Sequence, residues 1–218
     1  MTRRKPEVVV WDLGNVLIPW NRMGALLRVA DDRRHAEDLA HDVFTLEVNE
    51  LLDMGHPVEE VRAAVVRDHP ELGWVVDGYV EHFRHSLGEG ITGSAELVDE
   101  LLADGVRCVG LSNWSAITFE GVADAYPVLH RLEGIVISGE EGICKPDPRI
   151  YRTCEQRFGF APDDALFVDD SAPNVDAALE AGWDSVHFID PDQLRDDLSV
   201  RGLLAPATRV ADAHSSDS

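Results

Sequence analysis

A carboxylate follows a short apolar run near the start of the chain. Val8–Trp11 is apolar throughout, and Asp12 comes directly after it. Such a run predicts a buried parallel strand, whose carboxyl end lies at the sheet edge where open α/β folds place their reactive groups. Asp12 is therefore a candidate for catalysis, although an isolated Asp after a strand more often only caps a turn.

Three further strand-like runs end in polar or charged side chains. The residues that follow them are Ser112 with Asn113, then Lys145 within an irregular loop, then Asp169 with Asp170, and Asn174 one turn further on. If the strands are parallel, their carboxyl ends meet the end of the first strand at the same edge of the sheet. The sequence therefore predicts a cluster of carboxylates around one lysine.

A cluster of carboxylates needs cations, because two carboxylates about 4 Å apart repel each other by roughly 4 kcal/mol near a protein surface. Lys145 can supply one cation. The other donors are oxygen atoms, which favours Mg²⁺ over zinc or copper. Such a site suits phosphoryl transfer, in which Asp12 attacks phosphorus, Lys145 and the metal neutralise the phosphate oxygens, and Ser112 donates a hydrogen bond.

The elements that would position these residues alternate along most of the chain. Strand-like runs occur at Val8–Trp11, Val106–Leu111, Gly134–Ser138, Ala165–Val168 and Ser185–Ile189. Helical spacing between the later runs predicts βαβ units and a parallel sheet, and so an α/β protein with a Rossmann-like, three-layer core. Gly105 is predicted to end the helix before the second run, and Asp147-Pro148 to begin another helix.

One segment breaks this alternation. Residues 18–86 contain several helix-like stretches and no convincing strand, which predicts a small helical bundle inserted into the core. The predicted division is residues 1–17 and 87–204 for the core, residues 18–86 for the insert, and residues 205–218 for a disordered tail. Gly88, Gly90 and Gly93 lie where the chain returns to the core, and they suit either a hinge or a plain surface loop.

The composition narrows the class of partner. The chain has 218 residues, with 19 Lys and Arg against 41 Asp and Glu, which gives a formal net charge of −22. Such a charge disfavours binding to nucleic acid or to an anionic membrane surface. The apolar runs are too short for a signal peptide or a membrane span, so a cytoplasmic location is expected. Three cysteines without a CxxC pair predict neither a zinc site nor a disulfide framework.

At these residues the chain resembles the haloacid dehalogenase superfamily along nearly its whole length. The four motifs of that family are matched in order by Val8–Leu17, Leu111-Ser112-Asn113, Lys145-Pro146 and Phe167–Asp170 with Asn174. The helical insert resembles the family's all-α cap domain. More narrowly, the stretches DLGNVL, LSNWS, GEEGICKPDPRIY and FVDDSAPN are similar to a subgroup that includes bacterial phosphatases acting on α-glucose 1-phosphate.

The resemblance implies a role for each matched residue. Asp12 would be the nucleophile that forms an aspartyl-phosphate, and the Mg²⁺ ligands would be Asp12, Asp170 and the backbone carbonyl of Gly14. The other roles would be phosphate binding by Ser112, charge neutralisation by Lys145, a second acidic contribution from Asp169, and orientation by Asn113 and Asn174. The implied partner is a small-molecule phosphate ester, and the oligomeric state is left open.

The chain departs from the family pattern at Gly14. Most phosphatases of the family carry a second Asp at this position, which protonates the leaving alcohol and later activates water. General acid–base catalysis contributes about 10²–10⁴-fold, so its loss matters most for a poor leaving group. An anomeric sugar oxygen leaves more readily than an ordinary alcohol, which makes a hexose 1-phosphate a chemically sensible substrate.

Two other functions remain open from the sequence. Family members that dehalogenate 2-haloacids also lack the second Asp and need no metal, but they carry an aromatic residue at the position of Gly14 and a Ser-rich fourth motif. The acidic pair Asp169 and Asp170 favours a metal-dependent phosphatase instead. The other alternative is a weakly active protein that binds a phosphorylated ligand or regulates a partner.

Four further residues have two interpretations each. Trp20 and Trp114 follow the first and second motifs, so they could stack on a sugar ring or pack the insert against the core. Asp53 and Gly55 fall between helices of the insert. They could reach the substrate, but residues of a turn are the more common occupants of such a position.

Overall fold

The computed structural model describes residues 4–206 of the chain. Residues 207–218, which form most of the tail predicted to be disordered, lie outside the described residues. None of the helices within residues 4–206 is long and apolar enough to cross a membrane.

Five parallel strands form the centre of the molecule. They are β1 (Val8–Trp11), β2 (Arg107–Ser112), β3 (Ile135–Ile137), β4 (Ala165–Asp169) and β5 (Asp184–His187), in the order β3-β2-β1-β4-β5. Val8 of β1 pairs with Arg107 on one side and with Ala165 on the other. The predicted parallel α/β fold is confirmed. The order also makes β1 the central strand, at the point where the chain changes direction across the sheet.

Twelve α-helices lie among the described residues. Five of them form the helical insert between β1 and β2: α1 (Met23–Val29), α2 (Arg33–Asp42), α3 (Leu46–Asp53), α4 (Val58–Asp68) and α5 (Trp74–Glu81). The other seven are α6 (Thr92–Ala103), α7 (Ala116–Phe119), α8 (Val122–Ala125), α9 (Ser138–Glu141), α10 (Pro148–Phe158), α11 (Ala172–Glu180) and α12 (Pro191–Val200). Short 3-10 turns lie at Phe83–Ser86, Pro127–Arg131 and Pro162–Asp164.

The alternation of side chains along β1 produces a three-layer core. Val8 and Val10 face one side of the sheet, where they pack with buried residues of α10 and α11. Val9 and Trp11 face the other side, where they pack with α6, α12 and the insert. Burying an aliphatic side chain of this size contributes about 1.5–3 kcal/mol, so burial on both faces stabilises the central strand.

The predicted helix boundaries in the core agree with the structure. Gly105 has φ +77° and its N–H donates to Leu102, while the N–H of Val106 donates to Leu101, which is the Schellman pattern. Asp147 caps α10 by accepting from the N–H of Arg149, and a proline occupies the first turn. Two strands are shorter than predicted. Ser138 begins α9 and does not continue β3, and β5 ends at His187 rather than at Ile189.

The helical insert has its own apolar contacts and a paired connection to the core. Phe44 stacks on Tyr79 with ring centroids 4.0 Å apart, and both side chains are fully buried. Trp20 and Leu87 form an antiparallel bridge, and the N–H of Gly88 donates to the carbonyl of Pro19 at 2.9 Å. The two connections therefore run side by side close to the boundaries at residues 17 and 87. The division into core and cap at these residues stays a prediction.

Candidate active site

The structure places Asp12 at the carboxyl end of the central strand. Its N–H donates to the carbonyl of Val168 at 2.9 Å, which continues the pairing of β1 with β4 by one residue. Its carboxylate oxygen Oδ1 accepts from the hydroxyl of Ser112 at 2.9 Å and lies 2.8 Å from Nζ of Lys145. The residue is 7% exposed and lines a cavity, so a ligand in that cavity can reach it although it is nearly buried.

Lys145 joins two of the predicted carboxylates. Its Nζ lies 2.7 Å from Oδ2 of Asp169 and donates to the carbonyl of Leu111 at 3.0 Å, in addition to its contact with Asp12. The three protons of the ammonium group therefore have three acceptors. The backbone of Lys145 is held by Asn113, whose side chain donates to its carbonyl at 2.9 Å and accepts from its N–H at 2.8 Å.

Asp169 is fully buried and its oxygens are occupied by protein donors. Nδ2 of Asn174 lies 3.1 Å from both carboxylate oxygens, and the N–H of Ser171 donates to Oδ1 at 2.8 Å. Asn174 is held in turn by the hydroxyl of Tyr151, which donates to its carbonyl at 2.9 Å. With Lys145 on its other oxygen, Asp169 serves to hold the lysine rather than to bind a ligand from solvent.

Asp170 is only half-buried and points to the same place as Asp12. Its Oδ2 accepts from Nδ2 of Asn15 at 3.2 Å. Asn15 has a left-handed backbone with φ +55°, which is uncommon outside glycine, and its side chain also accepts from the N–H of Trp20 at 2.9 Å. Asn15 therefore fixes Asp170 relative to the first motif, a role that the sequence alone did not indicate.

Burial and mutual repulsion change the protonation of this cluster. Burial raises the pKa of Asp12 to about 7, with the negative charges of Asp169 and Asp170 adding to the rise and Lys145 opposing it. Burial also raises the pKa of Asp170. Burial opposes the charged form of Lys145, but the charges of Asp12 and Asp169 outweigh it and raise the pKa of the lysine. The cluster is short of positive charge, since one ammonium group faces three carboxylates.

The donors of this cluster fit Mg²⁺. Asp12, Asp169 and Asp170 each offer a carboxylate oxygen, and these atoms all lie within 4.8 Å of one another. The set contains no sulfur or nitrogen donor, as a hard cation requires. Because Asp169 is occupied by Lys145 and Asn174, the carboxylates left for a metal are Asp12 and Asp170. Gly14 lies next to them in the wall of the cavity.

The cavity has a volume of about 520 Å³ and lies between the core and the insert. Its floor is the cluster around Asp12, and the insert supplies a wall that contains Asn49, Glu50 and Asp53 together with Tyr79. Lys145 is the only Lys or Arg among the described residues that line it. The volume is that of a typical small-molecule site.

The two tryptophans border this cavity in different ways. Trp114 is 4% exposed and packs edge-on against Phe83 and Phe119, with ring centroids 5.7 and 5.5 Å apart. Phe83 follows the insert helix α5, so Trp114 packs the insert against the core while also lining the cavity. Trp20 lines the cavity and is partly exposed, so a ligand in the cavity can contact it.

The sequence favoured a simple turn residue at Asp53, whereas the structure places this residue in the wall of the cavity. It ends α3, and its carboxyl group faces the cavity and accepts from Nδ2 of Asn49 at 2.8 Å. Asn49 is one helical turn earlier, so a polar residue four positions before Asp53 was the signal available in the sequence. Gly55 is a turn residue with φ +81°, and its Cα lies against the backbone of Gly139.

A carboxylate at the end of a central parallel strand, beside a buried lysine and at the edge of a cavity, is the arrangement of a hydrolase with an α/β fold. A family model for haloacid dehalogenase-like hydrolases matches residues 6–182. The chain therefore belongs to the haloacid dehalogenase-like hydrolase family. It is 27% identical over 169 residues to flavin mononucleotide hydrolase 1 of Arabidopsis thaliana. The aligned region covers 73% of this chain and 69% of that protein.

Solved structures share the fold. An enzyme of the family from Bacteroides thetaiotaomicron, crystallised with magnesium and inorganic phosphate, matches with a TM-score of 0.64 and 20% identity over 85% of this chain and 95% of its own. The L-2-haloacid dehalogenase of Xanthobacter autotrophicus matches with a TM-score of 0.61 and 19% identity over 83% of this chain and 76% of its own. At these identities the likeness shows the fold, and it does not separate a phosphatase from a dehalogenase.

Proposed function

We propose that this protein is a Mg²⁺-dependent phosphatase that hydrolyses a small phosphate ester through an aspartyl-phosphate on Asp12. The observation that carries the proposal is the arrangement of charges. One buried lysine is shared by Asp12 and Asp169, and Asp170 lies beside them with no salt bridge to a Lys or Arg among residues 4–206. The site therefore lacks positive charge until a divalent cation binds. A phosphate group and its metal would complete it.

Each residue of the site has a separate role in the proposed reaction. Asp12 attacks phosphorus through the oxygen that does not contact Ser112. The Ser112 hydroxyl and the Lys145 ammonium donate to the other oxygen of Asp12, and these are the hydrogen bonds that they would exchange for bonds to the phosphate. Asp169 keeps Lys145 in place. Mg²⁺ would be held by Asp12, Asp170 and the carbonyl of Gly14, and would neutralise the charge of the phosphate oxygens.

A sugar phosphate such as a hexose 1-phosphate is the substrate class we propose. The insert wall presents an amide, carboxyl groups and aromatic rings, which suit a ring with many hydroxyl groups. The site suits a 2-haloacid poorly when no metal is bound, because the carboxylate of that substrate would lie near the charges of Asp12 and Asp170. Lys145, the only Lys or Arg among the described residues that line the cavity, is already shared by two carboxylates, whereas Mg²⁺ would neutralise the charge of a phosphate ester.

The test is a substrate panel with and without Mg²⁺. It contains hexose 1- and 6-phosphates, flavin mononucleotide and 2-chloropropionate, and it measures phosphate and halide release. We expect phosphate release that requires Mg²⁺. Halide release that does not require Mg²⁺ would establish the dehalogenase alternative, and tight binding of phosphate esters without turnover would establish a binding or regulatory protein.

Replacing Asp170 tests the assignment of the metal. Asp170→Asn removes a charged oxygen ligand, so the Mg²⁺ concentration for half-maximal phosphate release should rise by about tenfold or more, since even residues behind a ligand contribute about 10–100-fold to metal affinity. Titration of Mg²⁺ in the activity assay and calorimetry measure this. Asp176→Asn on the exposed side of α11 is the matched control. An unchanged Mg²⁺ requirement in Asp170→Asn would remove Asp170 from the metal site.

A further inference from the structure

The missing acid–base residue leaves an empty space in the structure. A Cβ atom built on Gly14 would have no atom within 4 Å, so no other side chain has moved into the place where the family carries its second Asp. Any group that protonates the leaving oxygen must therefore come from another part of the cavity wall.

Asp53 reaches the cavity from the opposite side, and two contacts fix its turn on the core. The hydroxyl of Ser138, at the start of α9, donates to the carbonyl of Asp53 at 2.6 Å and accepts from the N–H of Trp114 at 2.9 Å. A Cβ atom on Gly55 would lie 2.5 Å from the carbonyl oxygen of Gly139, so this turn packs directly on backbone. The carboxyl group of Asp53 is thus held relative to the floor of the cavity.

The surroundings of Asp53 let it carry a proton near neutral pH. Burial raises the pKa of Asp53 to about 7; the backbone N–H of Ser115 opposes the rise, and the charges of Glu50 and Asp12 add to it. Tyr79 of α5 and Cys144 of the loop after α9 are the other titratable groups that face it. Among residues 4–206, no Lys or Arg forms a salt bridge with this carboxyl group.

We propose that Asp53 is the general acid–base residue of this phosphatase and takes over the task of the Asp that is absent at Gly14. The inference rests on the proposed phosphatase function. Three other carboxyl groups line the cavity among the described residues, and none of them suits this task. Asp12 is the proposed nucleophile, Asp170 is the proposed metal ligand, and Glu50 is exposed to solvent.

Asp53 acts once in each half of the reaction. In the first half, Asp12 forms a bond to phosphorus, the bond from phosphorus to the ester oxygen breaks, and the protonated Asp53 gives its proton to that oxygen to release the alcohol. In the second half, water attacks phosphorus and gives a proton to the Asp53 carboxylate, and the bond to Asp12 breaks. Inorganic phosphate leaves, and both aspartates return to their starting states.

This assignment changes the expected range of substrates. With a proton donor at Asp53, alkyl phosphates become substrates as well as sugar 1-phosphates. The preference for a sugar then rests on the shape and polarity of the cavity rather than on the leaving group. Comparing leaving groups therefore separates the role of Asp53 in protonation from a role in binding.

The decisive experiment is Asp53→Asn with two kinds of substrate in Mg²⁺. On a hexose 6-phosphate, whose alkoxide leaves poorly, kcat/KM should fall by about 10²–10⁴-fold, as expected for the loss of general acid catalysis. On p-nitrophenyl phosphate, whose phenolate needs no proton, kcat/KM should fall less than about tenfold, because kcat/KM reports the transfer to Asp12 and not the later hydrolysis of the aspartyl-phosphate. Asp31→Asn, which alters a 95% exposed carboxyl group on the same insert, is the matched control.

The pH profile gives a second readout that a purely structural role would not produce. For the wild-type protein, kcat/KM on the hexose 6-phosphate should fall as the pH rises above about 7, because Asp53 then loses the proton it must donate. Asp53→Asn should lack this fall. Glu50→Gln should move it to lower pH, because removing that charge lowers the pKa of Asp53.

The outcomes separate the two proposals. Equal losses of kcat/KM on both substrates, or no loss on either, would overturn the assignment of Asp53 while wild-type phosphate release still supports the phosphatase. If the wild-type protein released no phosphate from any ester, both proposals would fall. Retained hydrolysis of p-nitrophenyl phosphate by Asp53→Asn also shows that the variant is folded, and thermal denaturation provides an independent check.

Discussion

Asp12→Asn is expected to abolish phosphate release, with kcat lower by about 10⁴-fold or more, the scale seen when a nucleophile is removed. The amide cannot attack phosphorus, so no phosphorylated protein should form. The substitution keeps the size of the side chain and an oxygen that can accept from Ser112 at the position now 2.9 Å away. The fold should therefore survive, and the loss of activity is a chemical effect.

Three measurements decide this prediction. Phosphate release gives kcat, acid quench after incubation with ³²P-labelled ester traps the aspartyl-phosphate in the wild-type protein alone, and thermal denaturation compares stability. Asp176→Asn serves again as the control with an equivalent change at an exposed position. Turnover that survives in Asp12→Asn would exclude this residue as the nucleophile.

The second large effect is expected for Lys145→Met, which should lose both activity and stability. The lysine side chain is 1% exposed, and its partners Asp12 and Asp169 are 10% and 0% exposed. Removing one partner of a buried ion pair leaves uncompensated charge and costs about 3–5 kcal/mol of unfolding free energy. The activity falls as well, because the ammonium that faces the phosphate is gone.

A double variant separates these two losses. Lys145→Met with Asp169→Asn removes the lysine together with the carboxylate that is fully enclosed by protein. It should recover part of the unfolding free energy in urea denaturation but none of the phosphate release. If the double variant were no more stable than Lys145→Met alone, the buried charge of Asp169 would not be the cause of the instability. If Lys145→Met kept its activity, the lysine would have no place in the mechanism.

The sequence predicts the floor of the cavity far better than its wall. Asp12, Ser112 and Asp169 each end a short apolar run, and parallel strands must bring such ends to one edge. The structure brings these three residues and Lys145 into direct contact. The prediction succeeds because the parallel direction of the strands, with no detail of packing, brings their ends to the same edge of the sheet. The catalytic roles of these residues stay predictions until the variants are measured.

The residues of the insert wall could not be predicted in the same way. Asn49, Glu50 and Asp53 lie on one helix, and only the docking of that helix on Ser138 and the backbone of Gly139 turns them towards Asp12. No local pattern encodes this contact, because it joins residues 85 positions apart. The role of Asn15 could not be predicted for another reason. It depends on a left-handed backbone, and a sequence indicates that conformation mainly at glycine.

The central place of β1 in the sheet has a consequence for the motions of the site. Strands paired on both sides belong to the part of a domain with the largest free energy of local opening, whereas a turn held by a few contacts opens more easily. Asp12 follows a strand with partners on both sides, while Asp53 sits on a turn fixed chiefly by Ser138 and Gly139. We therefore expect the strand end that carries Asp12 to open less readily than the turn that carries Asp53, so that the floor of the cavity keeps its geometry when the wall opens.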